Sequence, residues 1–381
     1  MSNNEYSDPI NFIDLVSQQN IIKDQIEIAI KNVLNHGQYI MGPEVKIFES
    51  DLQKFTNSKN AITCANGTDA ITIALMALDV KEGDAVFVPS FSYVATVESP
   101  ALLGATPFFV DVDRGSFNID PESFKNAIID AKKHGLNPKV VIPVDLFGKP
   151  ANLNHIIEIA HNSNIKVLED AAQSFGANYK NKNVGSIADI TTTSFFPAKP
   201  LGCYGDGGAI FTNDDDLARI ISSIRLHGKG SNKYDHIRLG MNSRLDTIQA
   251  AILIEKLKIF PNEIIKRNEL AIFYNNGLEN HTNIETPIID NDLFFSTWAQ
   301  YSLKTNKRDE HILRLKNNGI PSAIYYPVAL SSQPAYNKYP SVEGGCVNSE
   351  TLSNEVFSIP MHAYLAQKDA KKIIEILQLD H

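Results

Sequence analysis

Short apolar runs alternate with helical stretches through roughly the first two thirds of the chain. Several of those runs end in polar residues. Beyond about Leu257 the texture changes to polar helices and a Pro- and Asn-rich connection. Together these observations predict an α/β large domain with a mostly parallel sheet, residues 1–257, followed by a smaller C-terminal α+β domain, residues 258–381. In open α/β sheets ligands gather at the carboxyl ends of the strands. Asp145, Asp170 and Ser194 are expected at or just beyond such ends.

Apolar positions from Ile22 to Leu34 recur at a helical period. The turn-rich "HGQYIMGPEV" follows, then a second amphipathic stretch from Glu44 to Phe55. "AITCANGTDAITIALMAL" reads as strand, glycine turn and helix, with the helix beginning at Thr68 or Asp69. "DAVFVPSFSYVATVESPALLGA" repeats that order. "TPFFVDVD", "KVVIPVDLFG", "IKVLEDAAQSFGA" and "ADITTTSFF" are further strands ending in polar residues. In the last third a long polar helix through "PNEIIKRNELAIFYNNGLEN" is followed by a strand "WAQYSLKT", a helix "HILRLKNNG" and a final helix "QKDAKKIIEILQL".

A chain of 381 residues, 43% of them hydrophobic, can bury a sizeable core in more than one lobe. The net charge of -9, with no basic block, speaks against nucleic acid and anionic membranes as partners. Cys64, Cys203 and Cys346 are far apart and form no C-x-x-C, so neither a zinc knuckle nor a disulfide framework is expected. His227, His236 and His362 have no metal-ligand spacing, and no metal is expected. No leader-like N-terminus and no apolar run near the roughly 20 residues of a membrane span are visible. A soluble cytoplasmic enzyme is the expected class.

The chemistry concentrates in "TTTSFFPAKPLGCYGDGGAIFTND", residues 191–214. Lys199 stands between Pro197 and Pro200 and is followed by Gly202, Gly205, Gly207 and Gly208. Prolines restrict the backbone, and small residues let a planar ligand approach, as a Schiff-base lysine requires. A solvated loop lysine is the plainer reading. In "VLEDAAQSFGA" an apolar strand ends in Glu169 and Asp170, with Gln173 beyond. Pyridoxal phosphate needs a carboxylate opposite its ring nitrogen, and strand alternation lets only one of the two acids face a site. Asp170 is the better placed; the alternative is that both acids simply begin a helix. In "CANGTDA", Gly67 and Thr68 at a helix start suit an anion site, or merely a cap. Ser194 could add a hydroxyl to the same phosphate. The glycines after Lys199 are not a dinucleotide fingerprint, because the strand–turn–helix order is absent.

The ordered set "NGTDA", "PSFSYVAT", "EDAAQSFGA", "SFFPAKPLGCYGDGGA" and "GMNSRLDTIQAAI" closely resembles the sugar aminotransferases of the DegT/DnrJ/EryC1/StrS family. These are fold-type I pyridoxal-phosphate enzymes of the aspartate-aminotransferase superfamily, and the likeness runs from "INFIDL" to the last helix. It implies pyridoxal 5'-phosphate as cofactor, passing through pyridoxamine 5'-phosphate in turnover. It implies Lys199 as the cofactor-bearing, proton-shuttling lysine, Asp170 as the ring-nitrogen partner and Gln173 as the contact to the ring hydroxyl. Gly67, Thr68 and Ser194 match the phosphate cup, and Tyr93 the stacking aromatic. Asn242 matches a phosphate contact from a neighbouring subunit, so a homodimer with shared sites is implied. Arg244, Tyr325 and Tyr326 match positions near a nucleotide sugar, and Tyr39 lies in a loop resembling one that lines the substrate entrance.

Relatives acting at C4 often read S-F-H-x-x-K-x-I-T-T-G-E-G-G. Here Phe196 replaces that histidine and "LGCYGDGG" follows the lysine, a pattern resembling enzymes that act on 3-keto sugars. The resemblance is nearest to enzymes that aminate UDP-2-acetamido-2-deoxy-3-oxo-glucuronate, with L-glutamate as donor, in surface polysaccharide (O-antigen) synthesis. A dTDP-linked 3-keto-6-deoxyhexose is the alternative acceptor. One departure concerns the sugar: relatives often carry a histidine where this chain has Tyr325, Ala329 and Ser331. A sugar dehydratase would carry histidine in place of Lys199. A non-catalytic regulator that binds cofactor or sugar is the reading from another class, and the retained lysine, acid and glutamine argue against it.

Overall fold

The computed structural model describes residues 9–379 apart from 233, 291 and 292. A seven-stranded sheet lies at the centre of residues 60–212. Its strands are β1 (Asn60–Cys64), β2 (Asp84–Pro89), β3 (Thr106–Val110), β4 (Asn137–Val141), β5 (Lys166–Asp170), β6 (Ile190–Ser194) and β7 (Gly208–Thr212). They are ordered β1-β7-β6-β5-β4-β2-β3, and β7 alone runs antiparallel to its neighbours. Helices cover both faces of the sheet, and every residue of β2 is buried.

Three helices open the described chain: α1 (Leu15–Ile21), α2 (Lys23–His36) and α3 (Pro43–Thr56). The sheet's helices are α4 (Gly67–Ala77), α5 (Ala95–Leu102), α6 (Pro121–Lys133), α7 (Leu153–Asn162) and α8 (Asp215–Ile224). One face of the sheet packs Ile73, Leu75 and Ile221 against Val86, Val88 and Ile210. The other packs Phe124, Ile128 and Ile156 against Phe87, Phe108 and Val141. The α/β alternation places Asp170 and Ser194 as the last residues of β5 and β6. Asp145 follows β4 by a short loop.

The long helix α9 (Thr247–Leu278) runs for 32 residues and begins well before the expected polar stretch. The cause is burial: Ala250, Leu253 and Phe260 join a large-domain core, while Ala271, Tyr274 and Leu278 join the core of the last third. The expected boundary at 257/258 falls inside this continuous helix. Beyond it, α10 (Arg308–Asn317), α11 (Val347–Glu355) and α12 (Gln367–Gln378) accompany an antiparallel pair, β8 (Tyr301–Lys304) and β9 (Val356–Ile359). The N-terminal segment also reaches this lobe. Ile10 packs on its core, and Gln18 Nε2 donates to Glu263 of α9 at 2.7 Å.

Candidate active site

The chain folds the Lys199 loop back on itself. Lys199 N donates to Phe196 O at 2.8 Å, and Cys203 N donates to Phe195 O at 2.8 Å. Gly202 is needed for this close return, since a Cβ there would sit 2.3 Å from Pro197 O. The sequence-based expectation that the glycines clear room for a ligand is corrected at this position: Gly202 clears room for the loop's own backbone. Lys256 of α9, fully buried, holds the loop from behind through a hydrogen bond from Nζ to Gly202 O.

Burial lowers the Lys199 amine below the usual lysine range, and the charge of Asp170 opposes that shift. Asp170 is in turn raised by burial, while the Ala172 N–H, the charge of Lys199 and the Thr96 hydroxyl act to lower it. Ala172 N donates to Asp170 Oδ1 at 3.0 Å. Glu169 is not at a helix start; it is buried in β5 and accepts from Thr191 Oγ1 at 2.7 Å. The structure therefore couples Asp170, rather than Glu169, to Lys199.

Gln173 sits in the turn after β5. Its Oε1 accepts from Phe147 N at 2.6 Å and its Nε2 donates to the Tyr326 hydroxyl at 3.3 Å. Tyr326 stands 6.3 Å from the half-exposed ring of Tyr93 and 6.2 Å from that of Phe91. Tyr325 lies 5.8 Å from Tyr326 and 6.3 Å from Phe12. Residues far apart in the chain thus form one aromatic wall beside Gln173.

Helix α4 starts at Gly67, one residue earlier than the earlier of the two expected positions. Asn66 is its N-cap: extended backbone lets its Oδ1 accept from Asp69 N at 2.8 Å. The first-turn N–H groups of Gly67 and Thr68 have no acceptor within the helix. A Cβ on Gly67 would lie 2.7 Å from Ser194 Cβ, so glycine alone admits the serine to the helix start. This cradle of backbone N–H groups and a hydroxyl, a lysine with a lowered pKa and a buried acid are the donor set that pyridoxal phosphate demands, and the residues present fit it.

The backbone at Tyr39 lies against the segment that carries Asn242 and Arg244. Thr247 N donates to Tyr39 O at 3.0 Å and Ile40 bridges Asp246. Asn242 is exposed, and Ser243 Oγ accepts from Ala65 N at 3.1 Å beside the end of β1. Sequence reasoning missed Asn66, Thr96 and the pair formed by Ser90 Oγ and Ser331 Oγ at 2.8 Å. For Asn66 the signal was present in "NGTDA"; the other two are contacts that no local spacing encodes. All three cysteines are free and buried, and no metal-holding cluster occurs among the described residues.

A mostly parallel seven-stranded sheet with a lysine, an acid and a helix start suited to an anion near its strand ends is the architecture of a fold-type I pyridoxal-phosphate transferase. Residues 20–378 match the model of the DegT/DnrJ/EryC1/StrS aminotransferase family. The chain belongs to this family of pyridoxal-phosphate enzymes. It is 47% identical to the UDP-2-acetamido-2-deoxy-3-oxo-D-glucuronate aminotransferase of Pseudomonas aeruginosa, over 97% of this chain and 99% of that one. A DegT DnrJ EryC1 StrS aminotransferase from Brucella abortus superposes with a TM-score of 0.95 at 46% identity, covering 97% of this chain and 98% of that one. NtdA of Bacillus subtilis, solved with bound cofactor PMP, has a TM-score of 0.89 at 30% identity, over 99% of this chain and 86% of that one. Among the described residues no helix is long and apolar enough to cross a membrane.

Proposed function

We propose that the chain transfers the amino group of L-glutamate to the C3 carbonyl of UDP-2-acetamido-2-deoxy-3-oxo-D-glucuronate, in surface polysaccharide (O-antigen) synthesis. The near full-length identity to the Pseudomonas enzyme carries the choice of acceptor. Three free, buried cysteines suit a reducing compartment, which supports a cytoplasmic site of action.

Bound pyridoxal phosphate supplies an electron sink and a carrier for the amino group. The chain's residues supply the rest. Asp170, as carboxylate, keeps the ring nitrogen protonated. Lys199, its pKa lowered by burial, would offer a neutral Nζ able to take a proton from one carbon and return it to the carbon on the other side of the transferred nitrogen. Gly67, Thr68 and Ser194 would hold the phosphate, and Gln173 would meet the ring hydroxyl. Tyr93 would stack on the ring face, and Tyr325 and Tyr326 would close the sugar side. Tyr39 and Arg244 line the entrance for the nucleotide sugar.

Acceptor choice is tested by glutamate-dependent turnover on purified enzyme. The UDP-linked 3-keto-glucuronate is expected to exceed a dTDP-linked 3-keto-6-deoxyhexose by at least about a hundredfold in kcat/KM, because a site that hydrogen-bonds its own substrate's polar groups leaves partners unpaired when an analogue lacks them. Preference for the dTDP sugar would overturn the assignment.

The active unit in this reading is a homodimer, with Asn242 reaching the phosphate of the partner's site. Its exposed position supports that role. Asn242→Ala alone is expected to weaken cofactor binding by about 1.5–3 kcal/mol, the worth of one hydrogen bond to a charged group. Mixing a Lys199→Ala homodimer with an Asn242→Asp homodimer tests the sharing. Each mixed dimer then holds one site with both residues intact, and activity returns as subunits exchange. Exchange with no return of activity removes Asn242 from the shared site.

A further inference from the structure

Two carboxylic acids lie behind the ring-binding residues, and the amino transfer described above makes no use of them. Asp145 and Glu169 are both 0% exposed. Glu169 precedes Asp170 on β5, so alternation along the strand turns its side chain to the opposite face of the sheet. Val144 bridges Asp170, and Asp145 N donates to Asp170 O at 3.1 Å. Asp145 Oδ2 accepts from Ser174 Oγ at 2.6 Å, and Oδ1 accepts from Ala151 N at 2.8 Å. Glu169 Oε2 accepts from Thr191 Oγ1 at 2.7 Å, while its Oε1 is buried and makes no hydrogen bond among the described residues.

The two carboxyl groups are within hydrogen-bonding reach of each other. Two buried carboxylates in contact repel and cannot both ionise; one proton between them converts the repulsion into a hydrogen bond and satisfies Glu169 Oε1. Burial, then the charge of Glu169, holds Asp145 well above the usual carboxylate range, and burial raises Glu169. The other groups that act on the pair are Ser174, Ala151, Thr191, Gly185 and Asp170, and none of them is basic.

We propose that Asp145 and Glu169 are a proton-sharing carboxyl pair that positions Asp170 and Gln173 for the cofactor ring. The pair ties together both turns that bear on the ring. Ser174 adjoins Gln173, and the Asp145–Ala151 bond closes the loop whose Phe147 N–H holds Gln173 Oε1. Sharing a proton also leaves one negative charge, not two, behind Asp170. A second full charge there would favour a protonated Asp170, which could not pair with a ring N–H. The positioning role rests on the reading of Asp170 and Gln173 as cofactor contacts; the sharing of a proton does not.

Urea unfolding of the apoprotein across pH tests the sharing. The native pair keeps a proton that the unfolded carboxyls release above about pH 5, so the stability it contributes is full below that pH and declines as pH rises toward the folded value. Glu169→Gln donates a hydrogen bond from an amide and removes the charge that adds to burial in holding the Asp145 proton, so its native state binds that proton less strongly. The ratio of wild-type to variant unfolding constants is expected to rise with pH from about pH 5 upward, by up to about tenfold per pH unit. Parallel pH profiles would overturn the pair. Pyridoxal phosphate binding, followed by visible absorbance, tests the positioning. Glu169→Ala and Ser174→Ala are each expected to weaken binding about tenfold, and Glu169→Gln to restore it to within about threefold of wild type. If Glu169→Ala does not fold, Ser174→Ala gives the reading alone. Wild-type affinity in Ser174→Ala would discard the positioning role while leaving the unfolding result to stand or fall separately.

Discussion

Lys199→Ala is expected to abolish amino transfer while the protein stays folded, with turnover falling by at least about a thousandfold, the range lost with a positioned acid–base group. The fold should survive because the loop is held by its backbone and by Lys256, not by the Lys199 side chain. Borohydride reduction of the cofactor-loaded wild type should leave the cofactor on the peptide containing Lys199. Near-UV circular dichroism of the apoprotein separates loss of chemistry from loss of structure. A label on Lys256 or any other lysine would remove Lys199 from the role. The comparison with Lys256 is informative, because both amines have pKa values lowered by burial, that of Lys256 to about 8. Lys256, however, is committed to Gly202 O and lies over the Tyr204 ring at 5.0 Å.

Asp170→Asn is expected to keep cofactor binding and lose turnover by about a hundredfold or more. The phosphate cradle and Gln173 remain, but an amide cannot hold the proton on the ring nitrogen, so the electron sink weakens. A second readout needs no turnover. In the apoprotein Asp170 is the charge that holds the Lys199 pKa up against burial. Replacing it should shift Lys199 further down, so that in a pH series of amine labelling its reactivity sets in at lower pH than in wild type. Turnover near wild type in this variant would take Asp170 out of the mechanism.

The sequence by itself determined the fold class, the family and the residue types at the site. Hydrophobic periodicity is local, and so is the motif order that carries the family resemblance. Lys199 between two prolines, Asp170 at a strand end and Gly67 at a helix start are each legible within about a dozen residues. Contacts between distant segments are not legible in this way. Only the tertiary structure decided that Gly67 admits Ser194, that Gln173 is held between Phe147 and Tyr326, and that Lys256 supports the Lys199 loop. It also decided which of two adjacent acids bears on the lysine, and buried the other against Thr191. Alternation along β5 requires that the two acids part; the packing of β4 and β6 on either side decides which way each one turns. The span of α9 across both cores has the same cause. A helix is nucleated by local propensity, but its length here follows the apolar surfaces it buries at each end, and those come from other parts of the chain.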